Sequence, residues 1–283
     1  MRFGLYSSIA NPPRGDDLDR AIDEVIAEAQ LAEASGFDSC FFGEHHQDAD
    51  GFLPSPLIVA TAVAAHTRRL RVGTSVILLP LHHPFRVAED AITLDLVSKG
   101  RLVLGVGIGY QSADFRAFSV PMEHRVGLFE EGVEIIRKCF TGEPFSFRGK
   151  HYTLEDVQIR PRPFQRGGPP LWIGASVPAA LRRAGVMADA FVGTPSWCSG
   201  ILKRACASFV GGGRQPERII SCSACDTPTP AGRLTQRSWR PSSCLAIRSF
   251  RTASERPVAQ ASRLRAAGGG RRDGDRPTWP RPR

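Results

Sequence analysis

An apolar run, Phe37 to Phe42, stops abruptly at Gly43-Glu44-His45-His46, and there the sequence first offers chemistry. An imidazole changes charge near neutral pH, so one facing a cavity can give or take a proton. The alternative is a histidine that only hydrogen-bonds a neighbouring loop. Adjacent side chains on a strand point to opposite faces, so Glu44, His45 and His46 make a poor metal set, and none is assigned. His82 and His83 precede Pro84 and read as loop and helix-start residues.

Two glycine-rich runs carry further possibilities. GVGIGY at 105–110 has Tyr110 and Gln111 where a dinucleotide finger needs its last glycine. It reads better as a strand end thinned to backbone, so that a planar ring system can lie close to Gly107 and Tyr110. Gly174-Ala175-Ser176 precedes a helix starting near Pro178, whose unpaired N–H groups suit an anion. The Ser176 hydroxyl either caps that helix or binds the anion. CSAC at 222–225 has no second pair, so neither zinc nor redox chemistry is assigned.

The elements that position these groups alternate. FGLYSSI (3–9) is a short strand. Leu18, Ile22, Val25, Ile26 and Ala29 keep helical spacing until Gly36. After the second strand, Pro54-Ser55-Pro56 starts an alanine-rich helix. LRVGTSVILLP (70–80) reads as one strand covered on both faces. A helix after Pro84 reaches residues 98–100, and RLVLGVG (101–107) is the next strand. Val126, Phe129, Val133, Ile136 and Phe140 form a helical stripe. FSFRGKHYTL (145–154) is a hairpin insertion, after which PLWIGAS, a helix over 179–185 and DAFVG (189–193) resume the alternation. Repeated β-α units require a parallel sheet with right-handed crossovers. Because polar and glycine-rich groups recur at several strand ends, an α/β fold of the (β/α)8 TIM-barrel type is expected, incomplete at about six units.

The charge distribution excludes some partners. The formal charge is +9, yet thirteen Arg, no Lys and four acids after residue 220 account for all of it. The neutral body gives no footing for nucleic-acid or membrane binding. No signal peptide or run of about 18 apolar residues is apparent, so a soluble cytoplasmic protein is expected. Cys40 and Cys139 lie in apolar segments as small hydrophobes.

GFDSCFFGEHH (36–46), residues 70–110, DFRAFSVPMEHR (114–125) and PFQRGGPPLWIGAS (163–176) together resemble the luciferase-like monooxygenase family of flavin-dependent barrels. The resemblance implies His45 as the active-site acid-base group. It implies Thr74, Ser75 and Val76 as a ring shelf, with a non-proline cis peptide at Ser75-Val76. Gly174, Ala175 and Ser176 then meet the flavin phosphate, while Gly107 and Tyr110 approach the cofactor. The implied reaction uses reduced FMN from a partner reductase, and O2, to oxygenate a small organic substrate. Related members use the deazaflavin F420 for hydride transfer, and a homodimer is possible.

The resemblance covers residues 1–197, with 198–220 a transition and 221–283 a basic, poorly structured tail. That arginine-rich, lysine-free tail is the composition of GC-rich DNA read out of frame, so a frameshift within 198–221 is expected. Three readings stand: a flavin-dependent monooxygenase, an F420-dependent oxidoreductase, and a non-catalytic flavin-binding remnant.

Overall fold

Successive short apolar strands, each followed by an apolar-faced helix, build a curled sheet in a computed structural model that describes residues 3–7, 18–47, 54–193, 220–221 and 243–245. The first part runs β1 (Gly4–Ser7), α1 (Leu18–Ala34), β2 (Ser39–Phe42), α2 (Pro56–His66), β3 (Arg71–Thr74) and β4 (Ile77–Leu78). Next come α3 (Pro84–Ser98), β5 (Leu102–Gly107), α4 (Ser112–Ala117) and α5 (Arg125–Thr141). The hairpin β6 (Phe145–Arg148) and β7 (Thr153–Val157) follows, then β8 (Leu171–Gly174), α6 (Pro178–Met187) and β9 (Ala190–Gly193). Two short strands complete the set, β10 (Ile220–Ser221) and β11 (Ser243–Leu245).

The strand order is β10-β9-β8-β5-β3-β2-β1-β11, parallel except for β11, with β4 also paired to β5. This is the expected incomplete barrel topology, with β6–β7 a separate two-stranded sheet. The 70–80 strand differs from expectation. It divides into β3 and β4 at a cis Ser75-Val76 peptide and ends in a 3-10 turn over Leu79–Leu81. Each end of the strand order is a short strand: β10 beside β9 and β11 beside β1. Most of the tail, with CSAC and the stretch where a frameshift is expected, lies outside the described residues.

Period-two alternation sorts the strand side chains into two layers. Cys40, Phe42, Val72, Leu102, Leu104, Val106, Leu171 and Ile173 join the main core with the helices, where Val63, Ile92, Phe129 and Ile136 pack. Phe41, Val103, Trp172 and Ala190 form a second cluster on the opposite, inner side. There Phe41 and Trp172 stack at 5.2 Å between centroids. Gly73 makes room for this pair, because a Cβ on it would meet the Phe41 ring 2.7 Å away.

One side chain ties the opposite end of the sheet to the helices. Arg101, just before β5, donates to the carbonyls of Ala64 (2.7 Å), Thr67 (3.1 Å), Leu70 (2.7 Å) and Ser98 (2.7 Å). Ala64 and Ser98 lie in the last turns of α2 and α3, whose end carbonyls have no partner within the helix. A lysine has no planar fork to reach them together. Arg101→Lys is therefore expected to lower stability by about 2 kcal/mol in urea denaturation, since buried carbonyls lose donors.

Candidate active site

Parallel pairing places the C-terminal ends of β2, β3, β5 and β8 side by side at one end of the sheet. His45 follows β2, Ser75 and Val76 follow β3, Gly107 and Tyr110 close β5, and Gly174–Ser176 closes β8. The sequence-predicted residues therefore share one mouth. In a barrel this is the end where loops carry chemistry.

Val76 is the centre of that mouth. A Cβ on Gly107 would lie 2.5 Å from Val76 Cγ2, and one on Gly174 would lie 3.2 Å from Val76 Cγ1. A Cβ on Gly105 would strike the Thr74 carbonyl oxygen. The glycines that sequence reasoning assigned to a ligand's approach thus make room first for Val76 and for the β3 backbone. Any ring above them would meet the valine side chain.

The Thr74 side chain is engaged within the sheet. Its fully buried hydroxyl donates to the Gly105 carbonyl at 2.7 Å and accepts the Gly105 N–H at 2.9 Å. This clamps β3 to β5 where the direct ladder lapses between Gly73 and Ile77. The Ser75 N–H donates to the Phe42 carbonyl at 2.7 Å, joining the shelf to the end of β2.

At the end of β8, the Ala175 N–H donates to the Val192 carbonyl at 3.1 Å and is not available to an anion. Val177, rather than Ser176, is the N-cap of α6, so the capping role does not occur. Ser176 is exposed, as is Tyr110 at 73 %. An anion at this end would therefore meet the Ser176 hydroxyl and its N–H instead of all three residues' amides.

Sequence reasoning missed the network beneath His45. Glu44, 3 % exposed, accepts from His46 Nε2 (2.7 Å) and His82 Nε2 (2.7 Å) on one oxygen. Its other oxygen accepts the Leu78 N–H at 2.6 Å. Phe118 lies edge-on to His46, with centroids 4.7 Å apart. His82 is thus more than a loop residue, whereas His83 is the expected N-cap of α3. The GEHH motif contained two of the partners, but no local pattern points from residue 44 to residue 82. Among the described residues, no group of three or more His, Cys, Asp or Glu could hold a metal ion. Cys40 and Cys139 are buried free thiols, and burial raises the pKa of each.

Asp114, in α4 just beyond the β5 end, is the counterexample. It is 1 % exposed and neither carboxylate oxygen has a hydrogen-bond partner.

Comparison with known proteins adds an independent finding. A luciferase-like monooxygenase family profile matches residues 1–218. The uncharacterised protein y4vJ of Sinorhizobium fredii is 35% identical over 184 residues, 65% of this chain and 52% of its own. The 4-hydroxyprotoasukamycin monooxygenase of Streptomyces nodosus subsp. asukaensis is 32% identical over 187 residues, covering 65% and 50%. The chain spans about half the length of the curated relatives it matches. A monooxygenase from Streptomyces bottropensis superposes with TM-score 0.72 at 27% identity, covering 78% of this chain and 70% of that one. Two others share the fold. The FMN-bound oxygenating constituent of Pseudomonas putida 3,6-diketocamphane monooxygenase has TM-score 0.69 at 23% identity, covering 79% and 68%. The F420-dependent tetrahydromethanopterin reductase of Methanopyrus kandleri has TM-score 0.66 at 20% identity, covering 78% and 65%.

The two buried carboxylates lead to opposite expectations. Burial alone would raise the Glu44 pKa, but the His46 and His82 hydrogen bonds, the His82 charge and the Leu78 N–H outweigh it, lowering it from 4.5 to about 2. A folded-state value below the unfolded one gives stability that is present above about pH 4.5 and lost as pH falls towards 2. Urea midpoints across that window should show wild type losing roughly 3 kcal/mol relative to Glu44→Gln. For Asp114 the expectation is a gain. Asp114→Leu removes two buried oxygens that have no hydrogen-bond partner and should raise ligand-free stability by about 1 kcal/mol or more, read by thermal denaturation.

Proposed function

The chain belongs to the luciferase-like monooxygenase family, and we propose that it is a flavin-dependent monooxygenase that oxygenates a small organic substrate with reduced FMN and O2. The observation that carries this reading is the mouth itself. Its floor is Val76 seated among Gly105, Gly107 and Gly174, with the end of β2 bearing His45 alongside. A valine side chain flanked by glycines gives an apolar floor that fits a planar ring. A hydroxyl and an N–H at Ser176 fit a phosphate. FMN is bound by the diketocamphane monooxygenase constituent that shares this fold.

The residues fit such a cofactor in distinct ways. Val76 and the Thr74–Ser75 backbone would support the ring, Gly107 and Gly174 would keep its edges clear, and Ser176 would meet the phosphate. Tyr110, already exposed, would close over the ligand from the β5 side. Bound reduced flavin would supply electrons for the activation of O2. His45 would hold or deliver the proton that the oxygenation needs, and the apolar floor would keep bulk water away. A separate reductase would supply the reduced flavin.

An F420-dependent hydride transfer is the second reading, since a reductase using that cofactor shares the fold. Anaerobic titration with reduced FMN and with reduced F420 separates the two. FMN binding with little F420 affinity is expected. The reverse result favours hydride transfer, and binding of neither leaves the non-catalytic reading. Under the first outcome, His45→Ala should keep FMN affinity within a few-fold while lowering substrate-dependent turnover about 10²- to 10⁴-fold.

A further inference from the structure

We propose that Glu44 is a positioning residue for His45, locking the backbone on both sides of that imidazole and joining it to the ring shelf. The role assigned to His45 rests on the function proposed above; the lock itself is a property of the ligand-free fold.

The geometry begins with a small closed loop. Glu44 and His46 are two residues apart and joined side chain to side chain at 2.7 Å. Both side chains therefore lie on one side of the chain just after β2 ends at Phe42, and they flank His45. Phe41 belongs to the inner cluster with Trp172, on the side where Gly105, Gly107 and Gly174 alternate with buried neighbours.

Two further bonds carry the lock beyond β2. Leu78, two residues after Val76, gives its N–H to the second oxygen of Glu44 at 2.6 Å. His82 gives its Nε2–H to the first oxygen at 2.7 Å from the turn that follows β4. One carboxylate thus joins residue 46, the segment after the cis Ser75-Val76 peptide and the turn entering α3. Burial of Glu44 removes the competition of water for these bonds, and its ionised state strengthens all three. Both imidazoles must carry a proton on Nε2 to donate as they do.

Three donors converge on two carboxylate oxygens, and this makes a near-isosteric replacement decisive. The carboxamide of Glu44→Gln has one acceptor oxygen and one NH2 donor. If the oxygen stays with the imidazoles, the NH2 confronts the Leu78 N–H. If it turns towards Leu78, both imidazoles must move their proton to Nδ1. No orientation satisfies all three partners while both imidazoles keep their Nε2 protons.

The test uses the full chain labelled with 15N on histidine and leucine. In ligand-free wild type, long-range 15N–1H spectra should show His46 and His82 protonated at Nε2. In Glu44→Gln the tautomer of at least one of them, or the Leu78 amide shift, should change, and the His45 ring resonances should shift with it. Under turnover, Glu44→Gln should lower kcat by about tenfold or more with KM within a few-fold, the pattern of a displaced group. His82→Phe, which leaves the Glu44–His46 and Glu44–Leu78 bonds intact, should lose far less. A wild-type His46 without an Nε2 proton would overturn the proposal. So would a folded Glu44→Gln protein in which His45 resonances and kcat are unchanged. Should Glu44→Gln not fold, the wild-type tautomers and the His82→Phe comparison decide the matter. If wild type shows no turnover with FMN, the functional reading fails, while the ligand-free spectra still test the lock.

Discussion

The absence of three side chains governs this site. At Gly105, Gly107 and Gly174 a Cβ would collide with the Thr74 carbonyl or crowd Val76. The β3–β4 junction can pass the ends of β5 and β8 closely only because those strands present bare backbone there. The Thr74 hydroxyl, bonded both ways to Gly105, then holds the junction where the sheet ladder is interrupted. From this close approach come the position of Val76, the shape of the floor and the alignment of the four strand ends.

Electrostatics adds a second level. Glu44 and Asp114 are both carboxylates buried near the same end of the sheet, yet their surroundings differ completely. Glu44 is met by three donors and held ionised far below the usual carboxylate range. Asp114 meets none. Burying a polar group is costly unless hydrogen bonds replace the lost water, so the first is a structural bond centre and the second a local liability. The liability lies beside the mouth, where proteins tend to keep such unfavourable groups.

The family match over residues 1–218 and the monooxygenase names of relatives agree with the geometry at the level of the luciferase-like fold. Tyr110 and Phe118 are exposed aromatic groups in the segments that follow β5. The short strands β10 and β11 show how the sheet edges are covered, by pairing of backbone N–H and C=O groups rather than by side chains.

Much of this was legible in one dimension. Apolar periodicity identified the helices α1, α2, α3, α5 and α6, and short β-branched runs identified the strands, because both patterns repeat within a few residues. The cluster at one mouth followed from parallel β-α order, since that topology carries all strand ends to the same side. The GEHH and GAS motifs marked two of those ends. Tertiary structure alone decided what the marked residues touch. Thr74 became a clamp, the glycines a seat for Val76, and the Ala175 amide a sheet donor. The pairing of Glu44 with Leu78 and His82 depends on folding that brings residues over thirty positions apart within hydrogen-bond distance. A sequence specifies which groups are available and how they repeat locally; which donor meets which acceptor is set by packing in three dimensions.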